Sequence, residues 1–341
     1  MPVSPQAEAA HSLVTSLQSR FVEGLEDVAR RHDHPGSFFE VEWLRDEGRH
    51  GGGNRYTASS RGFFNRASVN VSQIHYDDLP EKKLGSATAL STIIHPENPH
   101  APSVHMHISW TEMKDGSGYW RVMADLNPSV LHPEYRDRFT RCLEKAAPDV
   151  FEDASAQGDR YFFIPALGRH RGVVHFYLEC FQSGDPDADR DLAHHVGDAV
   201  VGEYPRILED AVRQYPEADA AARAEQLAYH TLYLFQVLTL DRGTTSGILV
   251  HDQNDLGIMG SLPAVVDRDL LASWKRHVVA PQDELVQGLV DALPAGSRVE
   301  IDDAAKLRLA QVVRRHYHEH PEALKQQASG DTIPPTVDNH R

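Results

Sequence analysis

The clearest pattern in the chain is a period-two alternation over residues 103–110. Val104, Met106, Ile108 and Trp110 fall on one face, and Ser103, His105, His107 and Ser109 on the other. That alternation predicts a strand. A solvent-facing edge is usually built from Lys, Glu or Thr, so a row of Ser and His opposite an apolar row reads as the wall of a pocket. Residues 89–95 repeat the pattern more weakly, with Ser91 and His95 opposite Leu90, Thr92 and Ile94, and a Pro-rich turn joins the two stretches. Their polar faces are expected to line one site.

The remaining pattern fills in around this pair. Leu13, Leu17, Phe21, Leu25 and Val28 recur at helical spacing and predict a helix over 5–31, closed by His34-Pro35-Gly36. Strands are predicted over 38–43, 56–59, 63–74, 119–126 and 173–179. In the last of these, Val173, His175, Tyr177 and Glu179 share a face opposite Val174, Phe176 and Leu178. Residues 48–54 read as a glycine-rich loop matching neither a Walker A loop nor a dinucleotide turn. Helices are predicted over 134–147, 192–214, 218–226, 270–293 and 304–320, with 160–164 extending from another. An acidic loop is expected over 185–191, and strands over 232–240, 247–251 and 257–262. Short connections between most strands, with helices at the ends and middle, favour an α+β fold over alternating βαβ units.

Composition narrows the class. The 341 residues carry a net charge of −16, which argues against a nucleic-acid partner and against attraction to anionic membranes. No apolar run is long enough to span a bilayer, no basic and apolar leader opens the chain, and two cysteines make no disulfide framework. These features predict a cytoplasmic protein. A single domain is expected over 1–326, with its core at about 10–275, extra C-terminal helices at about 270–320, and a disordered tail over 327–341.

Several motifs, taken together and in order, resemble aerobic coproporphyrinogen III oxidase. Trp43-Leu44-Arg45-Asp46-Glu47 leads into Gly51-Gly52-Gly53, and Val69-Asn70-Val71-Ser72 follows. Ser91, His95-Pro96, Asn98-Pro99, Pro102 and His105 match the family's S-x-x-x-H-P-x-N-P-x-x-P-x-x-H segment, and Asp125-Leu126-Asn127-Pro128 its D-L-T-P turn. Later landmarks are Tyr161-Phe162-Phe163, Arg171-Gly172, Leu240-Asp241-Arg242-Gly243-Thr244 and Ser261-Leu262-Pro263. The resemblance implies a large, mostly antiparallel sheet flanked by helices on both faces, a homodimer, and conversion of pyrrole propionates to vinyl groups by O₂ without an organic cofactor. It implies that Ser91 touches substrate, that His105 is the general acid/base and that Asp125 stabilises positive charge on the pyrrole nitrogen. His95 would be a polar or metal-binding wall residue.

The departures from that pattern point to a changed substrate. The family's H-x-N-x-R becomes His105-Met106-His107-Ile108-Ser109, so Ser109 stands where a substrate arginine is expected. Ala228-Tyr229-His230 replaces an arginine-rich segment, residues 251–254 a G-G-R turn, and residues 165–167 a K-H-R cluster. Arginines read carboxylates bidentately, so their loss removes much of the recognition a four-propionate substrate needs. A different, smaller carboxylate substrate, oxidised by O₂ through decarboxylation or desaturation, is the leading expectation. A divergent coproporphyrinogen III oxidase and a non-catalytic tetrapyrrole or metal binder remain as alternatives.

Val173-Val174-His175 stands where the family has small residues beside the substrate. His105, His107 and His175, with Glu179, are therefore candidate ligands for Fe, Cu or Mn, H-x-H in a strand being a recurrent ligand spacing. The competing reading is that these histidines hydrogen-bond within a polar core. Arg121 shares its face with Met123 and Asp125 and is either the surviving carboxylate reader or half of a surface salt bridge. His316 and His320 read as a solvated helix end, the acidic loop as a plain loop, and Cys142 and Cys180 carry no nucleophile motif.

Overall fold

A computed structural model describes residues 4–59, 62–334 and 336–339. The chain opens with α1 (Pro5–Arg31), whose N-terminal amides are capped by the Ser4 hydroxyl. Six strands follow: β1 (Phe39–Leu44), β2 (Gly51–Ser59), β3 (Phe64–His75), β4 (Leu84–Pro96), β5 (Ser103–Met113) and β6 (Gly118–Asn127). Helices α2 (Pro133–Ala146) and α3 (Phe151–Phe162), the short hairpin β7 (Phe163–Ile164) and β8 (Arg169–His170), and β9 (Val174–Phe181) come next. The second half is mainly helical: α4 (Pro186–Gln214), α5 (Ala220–Thr239), α6 (Arg242–Val250) and α7 (Asp255–Ile258), then β10 (Val265–Asp267) and α8 (Arg268–Trp274). The chain closes through α9 (Gln282–Ala292), β11 (Arg298–Glu300), α10 (Asp303–Glu319) and α11 (Thr336–Asn339).

Strands β1 to β6 and β9 form one seven-stranded sheet in the order β1-β2-β3-β4-β5-β6-β9, antiparallel throughout. The apolar half of each alternation faces α1, α2 and α4: Leu90, Val104, Met106, Ile108 and Val122 pack with Leu17, Phe21, Val196 and Val200 in one core. The polar half faces the other way, toward α5 to α7. Those helices build a second core with α8 to α10 and, being held off the sheet by polar side chains, leave a cavity between the layers. Among the described residues no helix is long and apolar enough to cross a membrane.

Several expected elements take a different form. The strands predicted over 232–240, 247–251 and 257–262 are helices α5 to α7 and their short 3₁₀ continuations. Residues 229–239 are buried on every side, so they show no 3.6-residue periodicity to separate a core helix from a core strand. Thr231 and Thr239 hide their hydroxyls by donating to the carbonyls of Leu227 and Phe235, each at 2.7 Å. The acidic stretch 185–191 is the start of α4, where the Asp185 carboxylate caps the helix and Asp187 lies in its first turn, complementing the positive end of the dipole. The helix predicted over 270–293 is two helices, α8 and α9, parted at residues 275–281.

The glycine-rich loop is, from Gly51, paired strand. A Cβ at Gly53 would lie 2.5 Å from the Trp43 indole nitrogen, so only glycine lets that ring cross the sheet. The stretch after Gln327 is no free tail as far as Pro334. Gln327 is buried on Tyr317, Ala328 donates its amide to the Leu240 carbonyl, and Asp331 pairs with Arg160. Residues 335, 340 and 341 of that stretch lie outside the described residues.

Candidate active site

The cavity between the layers holds about 300 Å³, near the lower end of the ~300–1,000 Å³ typical of ligand sites. Its floor is the polar sheet face. Register sets the rows: Asn70, Ser91, His107 and Met123 lie side by side on β3 to β6, and Ile93, His105 and Asp125 form the neighbouring row. Tyr233 and Val237 of α5 and Gly243, Thr244 and Gly247 of α6 close the roof.

At the centre, His105 directs Nδ1 to the Asp125 carboxylate at 2.8 Å. Asp125 is fully buried, and its other oxygen accepts from Arg171 Nη2 at 2.8 Å and Asn127 Nδ2 at 2.6 Å. Burial alone would raise the carboxyl's pKa, but the Arg171 guanidinium and the His105 ring outweigh it and hold the group well below the usual carboxylate range. An ionised carboxylate only accepts, so Nδ1 of His105 carries the proton and Nε2 is the nitrogen left for the cavity. Arg171, itself buried, lies over the rings of Phe162 and Tyr233 and gives its Nη1 to Gln236 at 2.7 Å. Asp125 is therefore not on the cavity wall. It stands behind His105 and fixes that ring.

The second polar chain is Ser91–His107–Ser109, with Nδ1 of His107 2.7 Å from the Ser91 hydroxyl and Nε2 3.0 Å from that of Ser109. Burial, with Arg121 and His105 nearby, lowers the His107 pKa well below its ordinary value and keeps the ring neutral. His95 lies deeper than the wall. It accepts from Ser103 on Nδ1 (2.9 Å) and donates to the Ser261 carbonyl from Nε2 (3.3 Å), packed edge-on against Tyr233 and held neutral by burial. Arg121 does line the cavity, but its Nη2 is bound to buried Glu179 at 2.8 Å. Burial opposes its charge, while Tyr177, Glu179 and Tyr161 around it raise its pKa and keep it protonated.

The four proposed metal ligands do not come together. His175 points Nδ1 at the Asp159 carboxylate and Nε2 at the Arg171 carbonyl, each at 2.7 Å, so both ring nitrogens are engaged and neither is left for an ion. Glu179 is taken by Arg121 and by the Gly330 amide. Among the described residues no three His, Cys, Asp or Glu side chains are placed to share an ion. This donor set does not fit a three-histidine centre. The helix-end pair His316 and His320 is not simply solvated either: His316 is buried, with Nε2 on Gln282.

Sequence reasoning missed the role of Arg171, which entered only as a landmark, and missed Gln236 and Tyr233. Their signal is tertiary, since Arg171 lies 46 residues from Asp125 and 65 from Gln236.

Comparison with known proteins gives one consistent answer. The sequence model of coproporphyrinogen III oxidase matches residues 9–288. The oxygen-dependent coproporphyrinogen-III oxidase of Prochlorococcus marinus (strain AS9601) is 26% identical over 315 residues, covering 80% of this chain and 87% of that protein. The mitochondrial enzyme of the same description from Rattus norvegicus is 27% identical over 307 residues, covering 82% of this chain and 66% of the relative.

Proposed function

The chain belongs to the coproporphyrinogen III oxidase family, and on that premise we propose that it is an O₂-dependent oxidase acting by oxidative decarboxylation on a carboxylate held over His105. One observation carries the reading: a histidine in a single tautomer, fixed by a buried Asp125–Arg171 pair, aims its free nitrogen into a cavity. The reaction class balances without an organic cofactor. A ring-bound propionate loses CO₂ from its terminal carbon and a proton from the carbon next to the ring, and the C–C bonding pair becomes the vinyl double bond. Two electrons pass to O₂, which with that proton and one from solvent becomes hydrogen peroxide. His105 Nε2 is the base for the carbon-bound proton, and Asp125 stabilises the imidazolium that forms.

Carboxylate recognition supports a substrate with fewer acid groups than coproporphyrinogen III. Both arginines on the cavity wall are already engaged, Arg121 by Glu179 and Arg171 by Asp125. Family membership and the names of the relatives favour a second reading, coproporphyrinogen III itself. Oxygen uptake and product mass, measured with coproporphyrinogen III and with pyrroles bearing one or two propionates, test both. Uptake with a 44-dalton loss of CO₂ only on the smaller pyrroles supports the first reading. Turnover of coproporphyrinogen III alone supports the second, and no uptake on any of them removes both.

A further inference from the structure

The chain beyond residue 288, the last that the family's sequence model matches, builds α10 and then turns back toward the cavity. Gln327 is buried, and its Nε2 donates to Thr245 Oγ1 at 2.6 Å and to the Tyr317 hydroxyl at 3.0 Å. Ala328 is seated on the roof. Its amide donates to the Leu240 carbonyl at 3.0 Å, and its carbonyl accepts from Arg242 Nε at 3.3 Å. From this anchor the chain crosses to the edge strand of the sheet. The Gly330 amide reaches the Glu179 carboxylate of β9 at 3.4 Å, and Asp331 pairs with Arg160 of α3. It then returns to the cavity: Pro334 is buried, α11 packs on α6, and Thr336 lines the site together with Gly243, Thr244 and Gly247.

Glycine at 330 permits the crossing. A Cβ there would lie 3.0 Å from Gln157 Oε1, 3.2 Å from Tyr177 Cε1 and 3.4 Å from Glu179 Oε2, so a branched side chain has no room unless the strap or those neighbours move. Tyr177 in turn packs on Tyr161 of the cavity wall, with ring centroids 4.5 Å apart. The strap therefore backs the same side of the cavity that Tyr119 and Arg121 of β6 line. Its hold past Ala328 is light, because the Arg160–Asp331 pair is more than half exposed on both sides and such pairs contribute little. It is a wall fixed firmly at one end only.

We propose that this C-terminal strap, Ala328 to Pro334 with Thr336, determines substrate size: it closes the β6 end of the cavity and admits a small pyrrole acid while excluding a tetrapyrrole. The enclosed space is about 300 Å³, the lower end of what drug-sized ligands occupy, and a macrocycle with four propionates needs more. The proposal rests on the functional reading above for the identity of the cavity. Its test is a binding comparison that does not need turnover.

Two probes are titrated into the full chain, coproporphyrin III by its own fluorescence and a single pyrrole bearing one propionate by calorimetry. The same titrations are made on a chain ended after Ser329, which keeps both Ala328 contacts, and on Gly330→Val, which keeps every residue but one. Both variants are expected to bind coproporphyrin III at least about tenfold more tightly than the wild type, and to bind the monopyrrole no more tightly. The monopyrrole should compete with the bound porphyrin, which places it in the cavity. A purely structural strap would instead weaken both ligands together, and that result overturns the proposal. So does an unchanged coproporphyrin III affinity in the shortened chain, or in Gly330→Val where the shortened chain does not melt cooperatively. Absence of O₂ uptake on every acid counts against the functional reading and leaves the size comparison standing.

Discussion

The Asp125–Arg171 pair allows a quantitative test of the site's electrostatic design. Asp125→Asn keeps the shape of the side chain but leaves the Arg171 guanidinium, 1% exposed, without its counter-charge. Breaking one side of a buried pair costs about 3–5 kcal/mol. Arg171→Met strands the carboxylate in the same way and should cost about as much. The double variant removes both charges together and strands neither, so it should cost less than either single, and far less than the ~6–10 kcal/mol of additive losses. Urea unfolding of the four proteins, followed by tryptophan fluorescence at neutral pH, measures the cycle. The pH dependence checks the same assignment. The folded carboxyl titrates below its unfolded value of about 3.9, so its contribution is full above pH ~4 and is lost as pH falls further. The double variant should lack that acid-dependent loss. Additive single costs, or a loss below pH ~4 that persists in the double variant, would refute the buried-pair account.

Three other outcomes follow from the geometry. His105→Gln should lower kcat by roughly 10²–10⁴ while leaving the unfolding midpoint nearly unchanged, since the ring is on the cavity wall; a drop under tenfold with an active substrate would remove it as the base. His95, His107 and His230 are all held neutral by burial, His230 pushed down to about 3. The unfolded chain takes up protons below pH ~6.5 where these rings do not, so stability should fall by about 1.4 kcal/mol per pH unit for each histidine as the pH drops; a flat urea midpoint between pH 7 and 5 would contradict their burial. Ending the chain after Gln327 removes the Gly330 contact to Glu179 and the Thr336 side of the cavity, so KM should rise with the fold retained, and an unchanged KM would make that segment irrelevant to substrate.

Read without structure, the sequence determined the sheet and the face that matters. Period-two alternation over 89–95 and 103–110 reports directly which side chains share a face, because a strand has only two sides, and the seven-stranded sheet has those polar faces over one cavity. Helix periodicity gave α1 and α10 for the same local reason. It failed over 229–239, where burial on all sides erases the period. The chemistry of the site was decided only by tertiary structure. Whether a histidine is base, ligand or core depends on what its two nitrogens touch, and those partners come from far along the chain. Asp159 and the Arg171 carbonyl occupy both nitrogens of His175, Ser91 and Ser109 hold His107, and Arg171 turns Asp125 from a wall residue into a buried anchor.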